Sequence, residues 1–391
     1  MRRKRICLLI NKLARGGAET QCVRLATGLH ARGWRVRVVT LLPSTAFTEE
    51  LTETGIPVVD ISDGGSPYRP QNLLRLLEQF WSFKPDVLVT FLFQADVVGR
   101  ILGNAFGIPV RITSIRNEFF GASDKPRDHW SVRLREELIR RTDVRASLST
   151  TNSELAAVSL IERGIVPSNR LRIIRNMVDL APFTPMTAEQ RAAFRREHGV
   201  EGDSDFVWVH AGRLETQKDQ ATLLRAFTEH WKTHEHARLW ILGDGARRQE
   251  LEALAGQLGV TDRVLFAGER PNVPDWLRAA DAFVLSSKWE GLPNVLLEAA
   301  AARLPVVSTD VGGVREAMAP DLFGYLTEAG SVDSLREAMD RMVTLQQDNR
   351  HEFDVLGATN FAHVLDRFGS DGVLDQWEDL FTELMRVRLE K

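Results

Sequence analysis

A chain of 391 residues is too long for one ordinary core and points to two or three domains, and its 43% hydrophobic and 26% charged content is that of a globular protein, which excludes a disordered chain. No segment approaches the ~20 apolar residues needed to span a bilayer, and only two cysteines, Cys7 and Cys22, occur, which excludes a disulfide framework and favours the cytoplasm. The net charge of −3 hides two unlike halves: 27 Lys+Arg against 18 Asp+Glu up to Phe183, a net of +9, and 23 against 35 beyond it.

The charged start, MRRKRICLLI, has too brief an apolar run for a signal peptide and reads as a first strand. Further runs at 36–42, 56–61, 86–91, 110–115, 146–150 and 171–174 are separated by helix-length connections. That alternation predicts a parallel, doubly wound α/β sheet whose ligand lies at the carboxyl ends of the strands. After the first run, Gly16 and Gly17 precede a helix. Such glycines let backbone amides approach a phosphate, or simply make a tight turn. Gln94 and Asp96 follow the fourth run, and Arg116, Asn117 and Glu118 follow the fifth, so these polar groups would line one crevice. The next helix, over 127–141, interleaves Trp130, Leu134, Leu138 and Ile139 with Arg133, Arg135, Arg140 and Arg141. It fits an anionic membrane surface or a packed helix with a charged outer face. No nucleic-acid motif is present, and no nucleic-acid partner is expected.

The prolines of APFTPMTAE, over 181–189, place a linker there, giving domains at 1–183 and 190–370. Runs at 206–210, 238–242, 264–267, 282–285 and 305–308 predict a second doubly wound sheet. The last helix, over 373–388, repeats apolar residues at Val373, Trp377, Leu380, Phe381 and Leu384, one buried stripe that is expected to pack back onto the first domain.

Chemistry gathers in the second half. GRLETQKD carries Arg213 and Lys218 at a strand end, where a guanidinium fork and an ammonium can neutralise a diphosphate without a metal; no acidic magnesium site is evident, and no metal or cofactor is expected. The Gly243-Asp244-Gly245 turn reads as architecture, while Arg270 and Val273 bring backbone groups to a further strand end, within reach of a nucleobase. His230, His234 and His236 have metal-like spacing but no evident carboxylate partner, and read as a solvated surface; His129 and His210 show no catalytic partner. The stretch over 286–313, SSKWEGLPNVLLEAAAARLPVVSTDVGG, sets Glu290 on a loop and Glu298 one helical excursion later. Each carboxylate can accept paired hydrogen bonds from a vicinal diol, which suits a sugar nucleotide.

The ordered set GGAE, IRNMVD, GRL-x3-K, LGDG, AADAFVLSS-x2-EGLPNVLLE and STDVGG resembles glycosyltransferase family 4 of the GT-B fold, over nearly the whole chain. The resemblance implies two Rossmann-like domains with an interdomain cleft, acceptor in the first and nucleotide sugar in the second, and retention of anomeric configuration. It implies that Glu298 binds the ribose, Glu290 lies beside the donor sugar, and Arg213 and Lys218 hold the diphosphate. Gly291, Leu292, Pro293 and Asn294 match the loop whose amides touch sugar and phosphate, and Gly17 the glycine nearest the phosphate. Many members carry a histidine after the fifth strand, where this chain has Arg116-Asn117-Glu118. The expected reaction moves a hexose or N-acetylhexosamine from a nucleotide sugar, UDP by family frequency, to a saccharide acceptor, either lipid-diphosphate-linked at the cytoplasmic face of a membrane or soluble, in cell-surface polysaccharide assembly. Two rivals are a sugar-nucleotide 2-epimerase of the same architecture and a non-catalytic nucleotide-sugar-binding subunit.

Overall fold

The computed structural model describes residues 3–62, 64, 66, 68–116, 130–202 and 204–389. The chain divides into two compact units, Met1–Met177 with Ser370–Lys391, and Val178–Gly369.

The first unit runs β1 (Arg5–Ile10), α1 (Gly17–Ala31), β2 (Arg35–Thr40), α2 (Thr48–Glu53), β3 (Val58–Asp60), α3 (Pro70–Phe83), β4 (Val87–Phe91), α4 (Phe93–Ala105), β5 (Val110–Ser114), α5 (Trp130–Asp143), β6 (Leu148–Thr151), α6 (Glu154–Glu162) and β7 (Leu171–Ile173). Among the described residues the strands form one parallel sheet in the order β3-β2-β1-β4-β5-β6-β7, so the direction of winding reverses between β1 and β4. Inner strands such as β4, VLVTF, are buried throughout because helices cover both faces, which is why they read as continuous apolar runs rather than alternating ones.

The second unit continues with α7 (Ala188–Glu197), β8 (Phe206–Ala211), α8 (Gln220–Thr233), β9 (Ala237–Leu242), α9 (Arg248–Gln257), β10 (Val264–Gly268), α10 (Val273–Ala279), β11 (Ala282–Leu285), α11 (Asn294–Ala301), β12 (Val306–Thr309), α12 (Val314–Ala317), β13 (Leu326–Thr327), α13 (Val332–Asp348) and α14 (Arg350–Phe368). Its parallel order is β10-β9-β8-β11-β12-β13, with the reversal between β8 and β11. The two-residue β13 has no counterpart among the sequence expectations, being too short to leave a pattern. The unit begins before the proline-rich segment, not after it. Val178 donates its N–H to the Phe368 carbonyl at 2.9 Å, and Val178 and Phe183 are buried in the second core. Pro182 of that segment sits in a 3-10 turn, Ala181–Phe183, and Thr187 then caps α7.

The final helix, α15 (Ser370–Leu389), returns to the first unit. Val373, Leu374, Trp377, Leu380 and Phe381 are buried in the core that α1 also lines. At its edge Arg32 pairs with Asp375 at 2.5 Å and with Glu378 at 2.9 Å, and the Trp34 indole donates to Glu378 at 2.7 Å.

Candidate functional site

In open parallel sheets a ligand sits beyond the carboxyl ends of the strands where the winding reverses. In the second unit that place lies between β8 and β11, and two loops meet there, 212–219 after β8 and 286–293 after β11. Hydrogen bonds stitch them together. Ser286 Oγ donates to the Lys218 carbonyl at 2.8 Å, the Lys288 backbone N–H to the Gln217 carbonyl at 2.8 Å, and Gln217 Nε2 to the Trp289 carbonyl at 2.9 Å.

The seam carries a charge pair. Lys218 Nζ donates to Glu290 Oε1 at 2.5 Å, with the lysine side chain 14% and the glutamate 5% exposed. Ser287 Oγ donates to the same oxygen at 2.6 Å, and Gln217 Nε2 reaches Oε2 at 3.3 Å. Glu290 thus meets three donors, which compensate its removal from water. Gln217, Ser286 and Ser287 were not singled out in the sequence; their only signal was a place on the two strand-end loops.

The glycines of STDVGG brace this arrangement. Gly312 has φ of +55°, and a Cβ there would collide with the Glu290 carbonyl oxygen; the Gly313 amide donates to the Gly291 carbonyl at 2.6 Å. Beyond the seam, Leu292 is buried, Pro293 precedes the first turn of α11, and Asn294 opens that helix, whose N-terminus has no side-chain cap. Glu298 lies on α11, half-buried. Arg213 does not join the pair: its side chain is 61% exposed, bonded to Glu215 at 3.0 Å. Arg270 is exposed, its guanidinium 5.7 Å from the Trp276 ring, and Val273 begins α10, both after β10, two strands from the seam. Gly243, at φ +119°, packs its backbone on Gly212, and Gly245 on Leu214, so that turn shapes the Arg213 loop from below.

Under the seam lies His210, fully buried. Its Nδ1 must donate to the Val284 carbonyl at 3.0 Å, so Nε2 accepts from Gln220 at 3.3 Å, and Gln220 also donates to the Arg213 carbonyl at 2.9 Å. Burial holds the imidazole down to about 4, and the Lys218 charge acts in the same direction. This neutral ring links the core to the Arg213 loop, a partnership the sequence reading missed.

In the first unit the reversal falls between β1 and β4, where the Ala95 amide donates to Asn11 Oδ1 at 2.9 Å. Gly16 caps α1 and Gly17 begins it. Asp96 departs from expectation. Leu92, at φ +73°, turns the chain so sharply that α4 begins at Phe93, and Asp96 becomes a helical residue facing inward. It is buried and accepts from Thr90 Oγ1 at 2.7 Å, which takes it away from the crevice. Gln94, on the same turn, is half-buried. Arg116 is buried beside Ser114 and Asn176; Asn117, Glu118 and His129 lie outside the described residues.

Two metal expectations need correction. The histidines 230, 234 and 236 do have a carboxylate: His230 and His234 converge on Asp340, at 2.6 and 3.5 Å, and His230 is fully buried. The Trp208 indole can only donate, so His230 Nε2 accepts its N–H at 3.2 Å while Nδ1 donates to Asp340. Both ring nitrogens of His230 are occupied, so its contact with Asp340 pins α8 to α13, while His230, His234 and Asp340 hold one potential ligand atom each within 4.8 Å of one another. His236 is exposed and lies 3.7 Å from Asp205. The chain also contains a D-x-D triplet at 203–205. Residue 203 lies outside the described residues, and Asp205 sits at the amino end of β8, bonded to Arg238 at 3.2 Å, on the opposite edge of the sheet from Lys218 and Glu290.

Comparison with known proteins follows this division. Residues 16–177 match the family model "Glycosyl transferase 4-like domain" and residues 190–354 the model "Glycosyl transferases group 1". The chain is 28% identical over 408 residues to the D-inositol 3-phosphate glycosyltransferase of Xylanimonas cellulosilytica, covering 95% of this chain and 93% of that one. It is 26% identical over 281 residues, 70% of each chain, to the UDP-Gal:alpha-D-GlcNAc-diphosphoundecaprenol alpha-1,3-galactosyltransferase of Escherichia coli. Among solved structures, Anabaena Alr3699/HepE in complex with UDP-glucose has a similar fold, with a TM-score of 0.82 at 21% identity, covering 97% of this chain and 99% of that one.

Proposed function

Since this chain belongs to the glycosyltransferases of the GT-B fold, we propose that it moves a hexose or N-acetylhexosamine from a UDP-sugar to a lipid-linked saccharide, with retention and without a metal. The observation that carries the reading is the Lys218–Glu290 pair at the reversal point of the sheet in the group 1 unit. Lys218 has N–H groups left beyond the one given to Glu290, and the exposed Arg213 fork can swing toward the same loop. Both suit a diphosphate whose charge grows as the donor C1–O bond lengthens. Glu290 Oε2, bonded only to Gln217 among the described residues, has a lone pair left for a sugar hydroxyl, and Glu298 suits the ribose. The acceptor hydroxyl enters on the face the diphosphate leaves. Its oxygen bonds to C1 as the C1–O(phosphate) bond breaks, and its proton passes to the departing phosphate, so no separate base is needed.

UDP is supported by the complex of HepE with UDP-glucose and by the donor named for the E. coli relative, whose acceptor is a diphosphoundecaprenol-linked sugar. The lipid side also has support in the first unit. Among the described residues no helix is long and apolar enough to cross a membrane, yet Trp130 and Leu134 on α5, and Leu74 and Trp81 on α3, are exposed. Arg140 and Arg141 both pair with Glu137, so α5 offers less charge than its sequence suggests. Contact with the inner face of a membrane would rest on these apolar side chains. A thermal-shift screen with UDP-, GDP- and ADP-sugars, followed by NMR of the product anomer, tests the proposal. A response to UDP-sugars and a retained anomer are expected. An inverted anomer, epimerised donor, or binding without turnover would overturn it, and failure to sediment with phosphatidylglycerol vesicles would remove the membrane part.

A further inference from the structure

Three arginines are buried among the described residues. Two face carboxylates: Arg100 meets Asp143 at 3.4 Å, and Arg195 meets Asp281 at 2.6 Å. The third, Arg116, is different. Its Nε donates to Ser114 Oγ at 2.8 Å, one terminal nitrogen donates to Asn176 Oδ1, and the guanidinium stands 5.5 Å from the Phe91 ring. Neutral oxygens and an aromatic ring are its partners, and no carboxylate pairs with it among the described residues. Its other terminal nitrogen, Nη2, makes no hydrogen bond among them. Withdrawing a cation from water without a counter-ion is costly, and burial pushes this guanidinium down to about 10.

The place of the residue matters as much as its partners. Arg116 follows β5, Asn152 follows β6 and Asn176 follows β7, so all three stand at the carboxyl edge of the first sheet, where ligands of such sheets bind. Asn152 Nδ2 also donates to Asn176 Oδ1, at 3.2 Å, so that oxygen serves two donors and is held in place. The set presents an oriented guanidinium fork, a shape that matches a carboxylate or phosphate through two parallel hydrogen bonds.

We propose that Arg116 receives an anionic group of the saccharide this enzyme handles, a carboxylate or a phosphate, so that one of its two sugar substrates is acidic. The inference rests on the glycosyltransferase reading. The group has two sources, a uronate on the donor sugar or an anionic substituent on the acceptor, and both offer the same chemistry to the fork.

The test uses the full chain and isothermal titration with two pairs of probes, UDP-glucuronate against UDP-glucose, and glucose 6-phosphate against glucose, with UDP alone as reference. The acidic member of one pair is expected to bind at least tenfold tighter than its neutral counterpart, and the responding pair identifies the source. Arg116→Gln should abolish that preference and leave UDP affinity unchanged. Asn176→Asp is the second variant: it places a carboxylate on Arg116 in nearly the same shape, so the protein should melt at the same or a higher temperature while the preference disappears. The inference is overturned if neither pair shows a preference, if Asn176→Asp leaves the preference intact, or if the variants weaken UDP itself, which would make Arg116 a diphosphate ligand. Should the unaltered chain fail to bind UDP, the donor reading fails instead, and the glucose 6-phosphate pair still decides the role of Arg116.

Discussion

Replacing Lys218 by Met separates what this lysine does for the fold from what it does for the reaction. The change removes the 2.5 Å bond to Glu290 Oε1 and leaves that carboxylate with Ser287 at 2.6 Å and Gln217 at 3.3 Å. Deleting one member of a buried ion pair costs roughly 3–5 kcal/mol. Here the lysine is 14% exposed and two neutral donors remain, so about 2–3 kcal/mol is expected. A chain with ordinary stability, about 5–15 kcal/mol, stays folded after such a loss. The reaction should suffer more: removing one preorganised group aimed at developing charge lowers turnover by about 100–1,000-fold. Urea unfolding followed by tryptophan fluorescence reads the first effect, and UDP release from a saturating donor reads the second. Adding Glu290→Gln to Lys218→Met should recover most of the stability, because the unpaired charge is gone, and none of the turnover. If Lys218→Met turned over within fivefold of the parent while losing stability, the lysine would be a structural counter-ion, and the leaving-group role assigned to it would be refuted.

Three further expectations follow from particular contacts. His210 is neutral in the fold, at about 4, against ~6.5 when unfolded, so its contribution is complete above ~6.5 and declines by about 1.4 kcal/mol per pH unit as the pH falls toward 4, the unfolded chain taking up the proton. His210→Gln should therefore lose about 2 kcal/mol less than the parent between pH 6.5 and 5 in urea titrations; equal losses would show that the ring does not titrate this way. Gly312→Ala should reduce turnover at least tenfold with the protein still folded, because the new Cβ displaces the Glu290 backbone; unchanged kinetics would mean that the loop moves freely. Burial pushes the Cys7 thiol up to about 12 and raises Cys22 as well, so neither should react with Ellman's reagent in the native chain, and both should in guanidinium chloride. A fast native reaction would contradict the buried placement.

Much of the fold was legible because each buried strand is a short apolar run between longer amphipathic stretches, and that pattern is local. Local reasoning failed where a residue's partner is remote in sequence. His230 looked solvated until the chain brought Asp340 to it from 110 positions away, and Glu290 could not be paired with Lys218 across 72 positions by spacing alone. Asp96 was misplaced for a different reason: a non-glycine residue at positive φ, Leu92, moved the helix start upstream, and nothing in its side chain signals that conformation. The proline segment misled in a similar way, since Pro182 serves a packed 3-10 turn as readily as a linker. The candidate site was legible as a set of strand-end motifs, and its geometry was not, because the donors that hold Glu290 are ordinary serine and glutamine side chains.

The return of α15 to the first unit bears on how the protein is made. Translation delivers β1 to β7 long before Trp377 and Phe381 emerge, and until then the face of α1 that they cover has no partner. The second unit is continuous in sequence and can close on itself as soon as it leaves the ribosome; the first must wait until the segment from Ser370 onward has been made. A nascent chain stalled or truncated before Ser370 would carry an apolar groove in need of a chaperone. Quality control of the whole enzyme thereby falls on the twenty residues of α15, so that a chain cut short before them should be cleared from the cell rather than tolerated.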